Sequence, residues 1–287
     1  MLHVLVVFAL CFYAGASLHA LFSLRGALRP KERKDDKWSG YLLFKLGLLC
    51  HTIAAAVWTA FQPPMQVLPT QAGDFYFWLS WLLAVIFWAI GKPVRFSAIG
   101  GMLSAVILFF LVSSSLLVHT TPTIEFDTIA AAPVDPPHLV FLLLIHVVPA
   151  VCANALVILS ACVSLIFMIQ EKRLKEKRID FTQKGPNLEL LFGLNEAFLF
   201  YGFVAMTIAI ISGALWAYFS HTPLVSADPL QWISWAAWIL LAGILHGATH
   251  LKWARRQVAL GAFLVGALST VATVTILFFS RGVFHGA

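Results

Sequence analysis

Histidines inside long apolar segments are the residues of this chain best suited to chemistry. Four of the ten histidines lie in such segments: His19, His51, His146 and His246. An imidazole in hydrocarbon needs a partner, because polar side chains are costly there. Neutral imidazole is a ligand of iron, copper and zinc. No carboxylate lies beside these histidines, which disfavours zinc hydrolysis, whereas 10 Trp and 24 Phe can provide the apolar walls of a haem site.

The alternative for each of these histidines is structural: a hydrogen bond to a backbone carbonyl or hydroxyl on a neighbouring helix. The other six histidines occupy predicted helix ends or loops. For five of them we expect solvated positions at the membrane interface; these are His3, His119, His138, His221 and His250. The sixth, His285, lies just past the outer end of the last predicted helix.

Composition places the whole chain in a membrane. Hydrophobic residues make up 60% of it and charged residues 11%, with a mean hydropathy of +0.88. Soluble proteins carry about 25% charged residues. Because the deficit extends over the full length, we expect a polytopic membrane protein, and unalternated apolar runs of about 20 residues indicate helices and not a barrel.

The apolar runs predict an all-α bundle of about eight transmembrane helices. They cover residues 2–24, 40–61, 74–91, 97–118, 138–170, 197–219, 230–251 and 257–280. Residues 187–199, which include Asn195, are mixed in polarity and are expected at the interface before the sixth helix. We divide the chain into an N-terminal four-helix part, 1–137, and a transmembrane core, 138–287.

Charge predicts the topology. All but Lys45 and Arg281 of the 19 Lys and Arg residues fall in the same set of alternate loops. This is the positive-inside pattern, so these loops are expected in the cytoplasm and both termini outside, in a plasma or inner membrane. The net charge of +6 therefore reflects insertion and does not indicate nucleic-acid binding. The four cysteines lie in apolar runs without a CxxC, so we expect no disulfide and no thiolate metal site.

Depth in the predicted helices pairs some histidines. His146 lies about seven residues into its helix, near the external face and on the same side as His285. These two could bind one ligand outside. His19, His51 and His246 lie deeper or nearer the cytoplasm, and any two of them could form an inner site.

Several short motifs resemble one known family. They are Leu46 to His51, Leu144 to Val147, Gln170-Glu171, Pro186, Leu188, Leu190, Gly202-Phe203, Ser212-Gly213, Trp216-Ala217, Asp228-Pro229, Trp232, Trp238, Leu245-His246 and Gly282 to His285. In these motifs the chain resembles the cytochrome c assembly protein family, which includes the System II haem-handling synthetase and its HemX-like and YpjD-like relatives. The resemblance is specific over 138–287 and looser before it.

The resemblance implies haem b, bound stably or in transit. It implies that His146 and His285 are the external haem-iron ligands, that His246 is the intramembrane one, and that His51 is a candidate partner. The family's tryptophan-rich motif, which cradles the external haem, is missing: residues 218–227 contain no tryptophan. This departure favours the HemX-like branch.

We therefore expect a haem-binding, haem-handling membrane protein of cytochrome c assembly or haem trafficking, with no nucleophile of its own and so not an enzyme. Its partners would be haem, the bilayer and other cytochrome c assembly proteins or a haem-biosynthesis enzyme. The alternative is a non-catalytic scaffold or regulator of a haem-biosynthesis or respiratory-complex partner, acting through the basic loops Arg25–Lys37 and Gln170–Lys184. A solute transporter is less favoured, because no repeat or interrupted helix pair is visible.

Overall fold

A computed structural model describes residues 2–26, 36–61, 72–90, 99–118, 137–176, 187–221, 223–225 and 229–279. In these ranges the chain forms eight α-helices and no strand. They are α1 (Leu2–Gly26), α2 (Asp36–Phe61), α3 (Ala72–Ile90), α4 (Gly101–Val118), α5 (Pro137–Lys175), α6 (Leu188–Phe219), α7 (Pro229–Thr249) and α8 (Arg255–Phe279). The predicted all-α bundle of about eight helices is confirmed.

Seven of the described helices are long and apolar enough to cross a bilayer, and α4 is a shorter apolar helix. Large apolar side chains cover much of the outer surface; Phe22, Leu116, Ile239 and Val271 are all more than 60% exposed. Such exposure costs little in lipid, whose tails are as apolar as the side chains. The chain is a multi-pass membrane protein.

The helices pack in two groups. In the first, α1 contacts α2 and α4, and α3 contacts α2 and α4; in the second, α5 packs on α6 and α8, and α7 packs on α6 and α8, with α5 and α6 the most extensive pair. The groups meet mainly where α3 contacts α5, and α4 also contacts α5. Small residues allow the close approaches: Gly101 lies against Ala20, and Gly266 against Ala161, with no room for a Cβ atom at either glycine.

Hydrogen bonds between side chains and neighbouring helices fix α8 in place. The hydroxyl of Ser269 on α8 donates to Oδ1 of Asn154 on α5 over 2.7 Å. The hydroxyl of Tyr76 on α3, which is fully buried, donates to the carbonyl of Thr273 on α8. The same helix therefore bonds to a member of each helix group.

The sixth helix begins earlier than predicted: residues 188–196 form the start of α6, and the expectation that they lie at the membrane interface stays a prediction. Asn187 caps the helix, its side chain accepting from the amide of Glu189 over 3.0 Å. Asn195 is fully buried, and its Oδ1 accepts hydrogen bonds from Ser160 (2.5 Å) and Ser164 (2.9 Å) on α5. Part of the polarity of this segment thus serves contacts between two helices.

Candidate functional site

His146 on α5 contacts the backbone of α6. Its Nδ1 lies 2.7 Å from the carbonyl oxygen of Ala209. A carbonyl oxygen only accepts, so Nδ1 carries the proton and donates it. In a neutral imidazole the other nitrogen, Nε2, then keeps its lone pair. The hydrogen bond expected of a structural histidine is therefore present, and it leaves the nitrogen that a metal would need.

Gly213 makes this close approach feasible. A Cβ atom at position 213 would lie 2.7 Å from Nδ1 and 2.8 Å from Cε1 of His146. Ser212 holds the same stretch of backbone: its hydroxyl bonds to the carbonyls of Ile208 (2.6 Å) and Ile145 (3.1 Å). The Ser212-Gly213 motif thus binds α6 to α5 on either side of the ring and orients His146.

His51 on α2 is enclosed by aromatic side chains. It is 0% exposed, and its ring centroid lies 4.8 Å from that of Phe77 on α3 and 6.1 Å from that of Tyr13 on α1. Neither nitrogen of His51, nor the hydroxyl of Tyr13, has a hydrogen-bond partner of ordinary geometry among the described residues. The indole nitrogens of Trp58 and Trp78 are unpaired there as well.

Unpaired buried polar groups are rare in native proteins, and each calls for a specific explanation, such as a bound molecule. Four of the six unpaired atoms in the described residues belong to side chains that contact Phe77, namely His51, Trp58 (5.1 Å) and Trp78 (5.7 Å); the other two are the Tyr13 hydroxyl and Nδ2 of Asn195. The region consequently combines apolar walls with donors and a nitrogen ligand.

His246 lies in the second helix group, in the last turn of α7. Its imidazole is exposed, and its ring centroid is 4.8 Å from that of His250, which is exposed as well. His51 and His246 belong to different helix groups, and the structure does not bring their rings together: α2 packs on α1 and α3, whereas α7 packs on α6 and α8.

Two further histidines singled out from the sequence are His19 and His285. His19 on α1 lies in hydrogen-bond contact with Ser39 on α2, Nε2 to Oγ 2.7 Å, so it helps to join two helices. His285 lies outside the described residues, and its pairing with His146 stays a prediction. Among the described residues, no group of three or more His, Cys, Asp or Glu side chains could hold a metal ion.

Comparison with known proteins establishes the family. The model of the cytochrome C assembly protein family matches residues 70–284, well over half of the chain. The chain belongs to the cytochrome c assembly protein family. The resemblance inferred from the motifs is thus confirmed. No solved structure matches the chain.

Two curated members of the family are similar to this chain. The cytochrome c biogenesis protein CcsA of Cyanidium caldarium is 26% identical over 147 residues, 42% of this chain and 50% of the relative. The protein of the same name from Guillardia theta is 24% identical over 200 residues, 64% of each chain. The chain thus spans about half to two thirds of the relatives' length.

The family match covers only some of the candidate histidines. It contains His146 and His246, ends one residue before His285, and leaves out α1 and α2 with His51. His51 is therefore a candidate ligand only because it is buried and its nitrogens lack ordinary hydrogen-bond partners. His146 is a candidate because of both the family match and its geometry.

Two features of these sites are not evident in the sequence analysis above. There His250 is grouped with the solvated interfacial histidines, although His250 follows His246 by four residues and so lies on the same helix face. Gly213 is named there only as part of a motif. The absence of a side chain there matters because the ring of His146 occupies the space of a Cβ atom, and a contact of this kind leaves no local sequence signal.

Proposed function

We propose that this chain handles haem in cytochrome c biogenesis and that His146 would hold the haem through its iron. The observation that carries the proposal is the bond from Nδ1 of His146 to the Ala209 carbonyl. It selects the tautomer with a lone pair on Nε2. Histidines that ligate metals usually donate their other N–H to a carbonyl or carboxylate, which orients the ring and raises its basicity.

Aromatic side chains follow Gly213 on α6. Trp216, three residues on, lies on the helix face of Gly213, and Tyr218 and Phe219, in the next turn, are exposed. They are the aromatic residues of this end of α6 that could contact a porphyrin, next to the segment where the family's tryptophan-rich motif is missing. When bound, haem would supply an iron that histidine nitrogens can ligate, and the chain's own residues would bind and orient it.

Family membership supports the role in cytochrome c biogenesis, since both relatives bear that name. We assign His285 as the second external ligand, as the motif resemblance implies. His246 is the candidate intramembrane ligand, and His51 is a further candidate because its buried nitrogens lack a hydrogen-bond partner of ordinary geometry among the described residues. A resident haem b and a haem in transit would make the same first contact with Nε2 of the half-buried His146.

A second candidate function follows from the length of α5. Its 39 residues extend about 58 Å, whereas the hydrocarbon core is about 30 Å thick. Its last turn carries Lys172, Arg173 and Lys175, and the two lysine side chains are mostly exposed. This end could hold a cytoplasmic partner such as a haem-biosynthesis enzyme. Cross-linking of wild type and a triple Lys172→Ser/Arg173→Ser/Lys175→Ser variant tests it: unchanged partners contradict the scaffold function.

Absorption spectroscopy tests the haem proposal. The full chain, purified after expression with ample haem, should show a Soret band, and His146→Ala should lose the part that arises from the external haem. His221→Ala is the matched control, since His221 is an exposed histidine in the turn that follows α6. A colourless wild-type protein, or equal spectra for the His146→Ala and control variants, would contradict the assignment.

A further inference from the structure

The end of α7 carries two metal-ligating side chains that the haem assignment does not explain together. His246 and His250 are one helical turn apart, both are exposed, and their ring planes are tilted by 35°. Imidazoles four residues apart on a helix face the same side. This pairing is independent of the family motif, which contains only the first of the two histidines.

The separation of the rings suits chelation of one ion. Metal–nitrogen bonds to histidine are about 2.0–2.1 Å, so a metal lies about 3.2 Å from each ring centroid. For two ligands at about 90–110° around the metal, the centroids are then about 4.5–5.2 Å apart. The observed 4.8 Å lies within this range.

The backbone around the pair is already ordered. The amide of His250 donates to the carbonyl of His246 over 2.9 Å, which completes the last helical turn. The amide of Trp253 then donates to the carbonyl of Gly247 over 3.0 Å, and the indole of Trp253 packs directly on Gly247. The metal would thus not have to order the segment that carries its ligands, and binding avoids that entropic cost.

Two electrostatic effects act on a cation here. The partial negative charge at a helix C-terminus favours it. The nearby side chains of Lys252 and Arg256 oppose it, whereas the charge of Arg255 is offset by its ion pair with Glu189. Two neutral imidazoles with water in the remaining positions suit copper(II) best and zinc next, according to the general order of divalent affinities.

We propose that His246 and His250 form a two-histidine chelate for a divalent transition metal at this end of α7. Bound metal would occupy the imidazole that the haem assignment gives to His246. Metal and haem would then exclude each other at His246; this consequence, unlike the metal site itself, rests on the proposed function.

Copper(II) titration of the haem-free full chain, purified without a histidine tag, tests the site. Electron paramagnetic resonance should show two nitrogen ligands on the tightest-bound copper. Either His246→Ala or His250→Ala should weaken that site by about 100-fold, because the second imidazole binds intramolecularly. The double variant should lose the site altogether, because neither imidazole remains, and His221→Ala should leave the site unchanged.

Three results would overturn the metal site: one nitrogen ligand in the wild type, full affinity in His250→Ala, or copper bound as tightly by the double variant as by a single one. Both imidazoles are exposed, so the variants should keep the wild-type melting temperature, and this is checked on the same samples. A colourless protein that binds copper through both histidines would contradict the haem proposal and support the metal site. Failure of the haem proposal can thus be distinguished from failure of the metal site.

Discussion

His146 packs directly on Gly213 in the interface between α5 and α6: the ring of the histidine occupies the space that a Cβ atom at position 213 would need. The glycine is therefore a positioning residue for the imidazole, and the Nδ1 bond to Ala209 follows from the same close approach. The first prediction tests this relationship.

Gly213→Ala should displace the ring of His146 and reduce the external haem signal by about tenfold or more. Forcing a methyl group into a packed contact costs about 1–3 kcal/mol, which also lowers the melting temperature. Gly193→Ala is the matched control on the same helix: its Cβ would meet nothing within 4 Å, so it should be neutral or slightly stabilising. Equal spectra for both alanine variants would show that Gly213 does not position the ligand.

Asn195→Ala should destabilise the pairing of α5 and α6. The change deprives the hydroxyls of Ser160 and Ser164 of their shared acceptor and opens a small cavity, at a cost of about 1–3 kcal/mol. Thermal unfolding in detergent measures it. Ser115→Ala is the control, because the hydroxyl of Ser115 donates within its own helix to Leu111. Equal melting temperatures for the two variants would argue against a structural role of the Asn195 cluster.

His51→Leu should leave the melting temperature of the haem-free protein unchanged or raise it. The change removes two buried nitrogens that lack hydrogen-bond partners among the described residues, and exchange of an unpaired polar group for an apolar one of similar size is neutral or stabilising. Thermal unfolding of haem-free protein provides the test. A clear loss of stability would show that the contact of His51 with the backbone of Phe77 is a stabilising hydrogen bond.

The haem-loaded protein gives the complementary measurement for His51. If this residue ligates haem, His51→Leu loses absorbance in the Soret band while the apo form stays stable. His19→Leu is the comparison, since His19 bonds to Ser39 between α1 and α2 and its removal should lower stability without a specific spectral change. Identical spectra for wild type and His51→Leu would remove His51 from the candidate ligands.

Amino-acid sequence alone determined the class of this protein, the approximate extents of its helices and its family. Hydropathy is a sum over neighbouring residues, so eight apolar segments can be recognised without any knowledge of their contacts. Histidines in such segments are conspicuous for the same reason, and all four that were singled out lie in helices of the structure. Motif order identified the family, which the match over residues 70–284 confirms.

Only the tertiary structure decided what each histidine can do. In a membrane helix the face toward lipid is as apolar as the face toward other helices, so no periodic pattern shows which side packs. The enclosure of His51 by Tyr13 and Phe77, the burial of Asn195 and the tautomer of His146 all depend on residues far away in the chain. Such contacts form when particular helices pack together, and their energies are not encoded in any local segment.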